Sequence, residues 1–275
     1  MTTRNRGAAA GADVGATLVK LAVRDARGDT STDTLPADEL DAVAERLRDV
    51  SPIVLGLTGG GAPRLVERLS RPAVRVGEFE AWAQGARQLL GRAAPERFLV
   101  VSVGTGTSAL LVEAGAVARV GGTALGGGTI LGLGTALIGE RDFDAIAALA
   151  QQGDRRCVDL LIRDVYPAGD FLLPGDVNAA SFAKLARPES APAAAADLAH
   201  AIMGLVGENI GLICAGLAAR ANAELIAFGG GTLRANPALT AILGGVCAAL
   251  GRKPHFLADG QHTGALGALA LAQGS

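Results

Sequence analysis

The residues with the clearest chemical potential sit in two short turns. Asp13-Val14-Gly15-Ala16-Thr17-Leu18-Val19-Lys20 places an acid, a small residue, a hydroxyl and a base within one hairpin-like segment. Gly15 admits close backbone approach, Thr17 and main-chain N–H groups can donate to phosphate oxygens, Asp13 can hold a divalent cation through water, and Lys20 can reach phosphate. Gly104-Thr105-Gly106-Thr107-Ser108 follows the apolar run Phe98–Val103 and supplies a second nest of N–H groups and hydroxyls. Small residues make hairpin turns everywhere, so either segment alone says little. Facing each other, the two could grip one triphosphate. Neither is a Walker A loop, and neither opens a Rossmann helix.

Two further glycine clusters follow apolar runs. Gly121-Gly122-Thr123-Ala124-Leu125-Gly126-Gly127-Gly128-Thr129 leads into an apolar helical pattern, which would aim free N–H groups at an anion. Gly229-Gly230-Gly231-Thr232 would let backbone lie flat against an adenine or ribose, although an ordinary tight turn fits the same residues. Phosphorylating an alcohol needs a base for the hydroxyl proton and a cation for charge. Glu78-Phe79-Glu80 and Arg119 are the candidates, and spacing does not choose between the two acids. His255 and His262 lack a third ligand and read as ordinary polar residues.

The elements that must position these residues come in two similar cycles. Ala8–Asp13, Val19–Arg24 and Thr30–Leu35 read as a strand meander; helix Ala37–Val50 and buried strand Ile53–Leu57 follow. Helices are expected over Ala62–Ser70 and Glu80–Leu90, with a short strand at Val74–Val76 between them. The meander recurs at Phe98–Val103, Ser108–Glu113 and Val117–Val120. Helices near Thr129–Ile138, Asp142–Gln151 and Ala194–Ala219 come next, then strand Leu225–Phe228, helix Pro237–Leu250, strand Lys253–Leu257 and helix Thr263–Ala272. This order implies two α/β lobes with mixed sheets, residues 1–95 and 96–275, and a ligand cleft between them.

Bulk properties exclude several classes. A 275-residue chain, 49% hydrophobic with net charge −2 and scattered basic residues, has no electrostatic footprint for nucleic acid. Met1–Arg6 runs into glycine and alanine without an apolar segment and cleavage site, so no secretory signal is expected, and no uninterrupted apolar run spans a bilayer. Cys157, Cys214 and Cys247 are too far apart for zinc, an iron–sulfur cluster or a disulfide framework, which points to the reducing cytoplasm.

In this order the segments Asp13–Lys20, Thr58–Gly61, Glu78–Ala81, Val103–Ser108, Arg119–Gly134, Gly153–Asp164, Pro174–Phe182 and Gly264–Gly267 resemble type II pantothenate kinases, over nearly the whole chain. The resemblance implies a duplicated, ribonuclease H-like fold of the actin and hexokinase superfold with an interlobe ATP cleft. It implies transfer of the γ-phosphoryl group of ATP to pantothenate, with Mg²⁺, in a homodimer. By that resemblance Glu78 is the general base, and Ser108 and Arg119 hold pantothenate. Asp13, Gly15, Thr17 and Lys20 form the metal and phosphate hairpin, Gly104, Thr105, Gly106, Gly126, Gly127 and Gly128 are nucleotide loops, and Gly230 lies near the nucleoside.

The chain departs from the family pattern at Ala16, Asn178 and Ser181, and around His255 and Phe256, where members often carry aromatics. These departures bear on acceptor breadth. The rival readings are a kinase of the same fold acting on pantetheine, a pantothenamide or a sugar, and a non-catalytic ATP-binding regulator. A redox-enzyme activator would need paired cysteines.

Overall fold

The computed structural model describes residues 7–167, 174–187 and 192–274; Met1–Arg6, the segment tested for a secretory signal, lies outside them. Strands β1 (Ala9–Val14), β2 (Leu18–Arg24) and β3 (Thr30–Pro36) form an antiparallel meander. Helix α1 (Leu40–Val50) leads to β4 (Val54–Thr58), and α2 (Ala62–Val66) to β5 (Val74–Arg75); both strands add in parallel beyond β1. The sheet order is β3-β2-β1-β4-β5.

After α3 (Glu78–Leu90) the plan repeats: β6 (Arg97–Val103), β7 (Thr107–Glu113) and β8 (Ala116–Thr123) form a second meander. Then come α4 (Gly127–Ile138), α5 (Phe143–Ala150), the short antiparallel pair β9 (Leu160–Leu161) and β10 (Asn178–Ala180), and α6 (Ala195–Arg220). The chain closes with β11 (Leu225–Gly229), α7 (Pro237–Ala249), β12 (Lys253–Phe256) and α8 (Thr263–Gly274). Strands β11 and β12 add in parallel beyond β6, giving β12-β11-β6-β7-β8. Each strand of the first sheet thus has a counterpart in the second.

Strand β6 shows how the second sheet separates two cores. Successive side chains of a strand point to opposite faces. Leu99, Val101 and Val103 accordingly pack with Ile146, Met203 and Leu243 under α5, α6 and α7, while Phe98 and Val100 pack with Trp82 and Ala86 of α3. The first sheet buries Val14, Leu21 and Leu57 against Leu40, Val43 and Leu47 of α1.

The halves exchange helices: α3 covers the second sheet, whereas the C-terminal α8 lies on β1 and β4 of the first. The small residues explain how. A side chain at Gly11 or Gly56 would collide with the α8 backbone at Ala265 or Ala268, and α3 crosses α8 where Gly85 and Gly267 leave room for the carbonyls of Thr263 and Ala81. Glycine and alanine therefore serve close packing of a helix layer, and few aromatics are needed.

Helix α6, at 26 residues, is long and apolar enough by length and composition to cross a bilayer, although Glu208 and Asn209 interrupt its apolar run. Most of its most apolar 18-residue stretch is nevertheless buried, with Ile202, Met203, Val206 and Ile210 in the second core.

Candidate active site

Asp13, the penultimate residue of β1, is buried and paired across the hairpin with Lys20 of β2. The tip is closed by the Gly15 N–H donating to the Leu18 carbonyl over 3.1 Å, and the Lys20 ammonium lies over Gly15. On the other side of β1, Asp13 is in register with Thr58, the last residue of β4. The Thr58 hydroxyl is buried and has no protein partner. Burial pushes the Asp13 carboxyl above the ordinary aspartate value; Lys20 opposes that rise, Glu78 adds to it and the Trp82 indole N–H opposes it.

The second hairpin is braced from behind. Thr107 Oγ1 donates to the Leu125 carbonyl over 2.8 Å, and Thr232 Oγ1 donates to the Gly104 carbonyl over 2.8 Å. The Gly127 N–H bonds the Gly104 carbonyl at 2.8 Å and the Gly128 N–H bonds the Thr105 carbonyl at 3.0 Å. These two donors at the start of α4, which the sequence offered to an anion, are spent on the hairpin. The cluster Gly126–Gly128 thus shapes the loop that carries Thr105. That exposed residue meets Thr17 of the first hairpin, Oγ1 to Oγ1, at 3.2 Å.

Helix α3 begins at Glu78, two residues earlier than its apolar pattern suggested, so Glu78 occupies the positive end of the helix. Residues four apart share a helix face. Glu78 and Trp82 are so related, and both act on the Asp13 carboxylate. Glu80 instead folds its carboxylate against Gly77 at the helix start, which separates the two acids that spacing left equivalent.

The acceptor candidates converge on one spot of the second meander. Strand β8 bulges between the pairs Ala109–Gly121 and Leu110–Arg119, and such a bulge re-aims side chains. The Arg119 guanidinium comes within 2.8 Å, and the Ser108 Cα within 3.3 Å, of the point where a Cβ on Gly122 would stand.

Beyond the hairpins, the turn after β11 has φ +117° at Gly230, where a side chain would strike the Val103 carbonyl. This turn walls a cavity of about 160 Å³ lined by Phe228, Gly230, Arg234, Thr240 and Phe256. Phe256 stacks on Phe228 at 5.4 Å, while neighbouring His255 is exposed. His262 is buried and bonds both Asp259 and Thr34. Asn178 donates to Ser181 at 3.0 Å and to Glu208 of α6 at 3.2 Å, in a network with Arg155 and Asp159. Periodicity missed Trp82, whose role depends on a partner 69 residues earlier in the chain, and Thr58, which is marked only by ending a strand beside Asp13.

The Fumble family model matches residues 83–271. Type II pantothenate kinase from Staphylococcus aureus (strain USA300) is 32% identical over 263 residues, covering 95% of this chain and 98% of that protein. The chain belongs to the type II pantothenate kinase family. It has the actin and hexokinase superfold of that family. The activator of 2-hydroxyisocaproyl-CoA dehydratase from Clostridium difficile, solved with ADPNP, aligns with TM-score 0.65 at 17% identity over 96% of this chain and 94% of that one. A ROK family glucokinase from Streptomyces griseus, solved with glucose and AMPPNP, aligns with TM-score 0.64 at 15% identity over 98% and 100%. The hairpins carrying Asp13 and Thr105 each join the first two strands of a repeat. The cysteines stay apart from this site's chemistry: burial pushes the Cys214 and Cys247 thiols up to about 12 and about 11, and Cys157 is exposed.

Proposed function

We propose that this chain transfers the terminal phosphoryl group of ATP to the primary hydroxyl of pantothenate, giving 4'-phosphopantothenate, the first step towards coenzyme A. The observation that carries the reading is the Thr17–Thr105 contact at 3.2 Å, which joins two phosphate hairpins beside Asp13 and Glu78. Triphosphate oxygens would be held by the hairpin N–H groups and hydroxyls of Thr17, Thr105 and Gly106, with Gly15 admitting close approach and Lys20 opposing their charge. The nucleoside would lie along Gly230, in the cavity bounded by Phe228 and Phe256.

The donor set fits a magnesium ion. Asp13 is a single buried carboxylate beside the unpaired Thr58 hydroxyl, and no group of three His, Cys, Asp or Glu side chains occurs among the described residues. Magnesium retains several waters and takes one or two carboxylates plus phosphate oxygens. Held through Asp13, it would supply neutralisation of phosphate charge.

Glu78 accepts the hydroxyl proton as that oxygen attacks phosphorus in line, and the ADP oxygen leaves on the opposite side. Arg119 and Ser108 hold the acceptor, the guanidinium pairing with the pantothenate carboxylate. We infer a cytoplasmic homodimer with no nucleic-acid or membrane partner; exposed Leu212 and Ile213 on α6, and Leu131 and Leu137 on α4, support pairing through these helices.

The test is a coupled ADP-release assay with purified protein, magnesium and ATP, and a panel of pantothenate, pantetheine, pantothenamides and common sugars. Turnover is expected with pantothenate. Turnover confined to another alcohol would overturn the acceptor and keep the reaction class.

A further inference from the structure

We propose that Trp82 is a positioning residue, holding the Asp13 carboxylate for phosphoryl transfer and tying it to the turn that follows β11; the inference rests on the kinase reading above. Trp82 lies one helical turn beyond Glu78, and only 6% of its surface is exposed. Its indole N–H lies beside the Asp13 carboxylate and favours the charged form. Its Nε1 lies 3.1 Å from where a Cβ on Gly264 would stand, a point that the Asp13 carboxylate also crowds. The far edge of the indole, Cζ3, lies 3.2 Å from the corresponding point on Gly229.

One rigid ring therefore lies against the start of α8 and the last residue of β11, beside the first-sheet carboxylate. An indole carries one N–H donor and cannot accept a hydrogen bond. Facing a carboxylate, that donor makes a charge-assisted bond, stronger than a neutral pair and directional. The packing of the ring then fixes where the bond points. Asp13 has two protein cues, Lys20 across the hairpin and Trp82 from α3, and Trp82 shares its helix with the base. Displacement of α3 would move Glu78 and release Asp13 together.

The chain contains a single tryptophan, so its emission reports the surroundings of Trp82. Intrinsic fluorescence of the wild-type protein is recorded during titration with magnesium and a non-hydrolysable ATP analogue, without acceptor. A saturable change with the midpoint seen by calorimetry is expected, and Asp13→Asn should remove its magnesium-dependent part. Trp82→Phe keeps a ring and deletes the donor. It should lower kcat about tenfold with the acceptor KM within about twofold, and in the Asp13→Asn background it should change little.

An emission that ignores bound nucleotide, or a Trp82→Phe effect of equal size in both backgrounds, would overturn the proposal. If Trp82→Phe fails to fold, the fluorescence titration decides by itself. Because nucleotide binding is read without acceptor, a protein that binds nucleotide but leaves pantothenate unchanged sinks the acceptor assignment and not this one.

Discussion

Thr17 and Thr105, 88 residues apart in the chain, meet hydroxyl to hydroxyl at 3.2 Å where the tips of two equivalent hairpins converge. The contact is exposed, so its contribution to stability is small, and its consequence is the pairing of the two turns proposed to hold phosphate.

Thr105→Val should therefore weaken binding of the ATP analogue about fivefold to tenfold while shifting stability by less than about 0.5 kcal/mol. Calorimetry and urea melts measure the two effects. A variant that loses stability and keeps nucleotide affinity would assign the contact to folding.

Glu78→Gln should lower kcat by about 10²- to 10⁴-fold, the range for loss of a general base, with nucleotide affinity and melting temperature unchanged. Arg119→Ala should mainly raise the pantothenate KM, since the guanidinium is proposed to hold the acceptor. Near-normal turnover of Glu78→Gln would remove that residue from proton transfer.

Asp159 gives a pH-dependent expectation away from the site. It has no exposed surface, it accepts the Phe182 N–H at 2.9 Å, and its second oxygen has no hydrogen-bond partner. Burial raises its carboxyl above the ordinary aspartate value, the Phe182 N–H and Arg155 oppose the rise, and Glu208 adds to it. The folded chain thus holds this proton more tightly than the unfolded one. The resulting stability is full below the unfolded value and is lost as pH rises through the folded one. Asp159→Asn should flatten that decline, so melting temperatures of the two proteins should diverge in the variant's favour between pH 4 and pH 8. A gap constant across that range would contradict the assignment.

Gly267→Ala should cost roughly 3 kcal/mol or leave no soluble protein, because the added methyl would meet the Ala81 carbonyl at the crossing of α3 and α8. Gly132→Ala is the control: it lies in α4 with nothing near its missing Cβ and should be neutral or stabilising by up to about 1 kcal/mol. Equal effects in denaturant melts would mean that the crossing has slack.

The two meanders, the order of helices and strands, and the hairpins beginning at Asp13 and Gly104 were legible because they depend on local patterns, namely period-two or helical spacing of apolar residues and glycine-bearing turns. The family was legible for the same reason, since its motifs are short and ordered. Local pattern could not assign α8 to the first sheet, because that pairing rests on glycines at positions 11 and 56, far away in sequence. It left Glu78 and Glu80 equivalent until the helix start turned one towards Asp13 and the other onto Gly77.

It also offered the N–H groups of Gly127 and Gly128 to an anion, whereas folding gave them to the carbonyls of Gly104 and Thr105. The paired hairpins were therefore written in the sequence as two separate turns. Only the tertiary structure decided that Thr17 would face Thr105 and that Trp82 would reach Asp13, because each contact joins elements whose positions are set by packing of the whole chain.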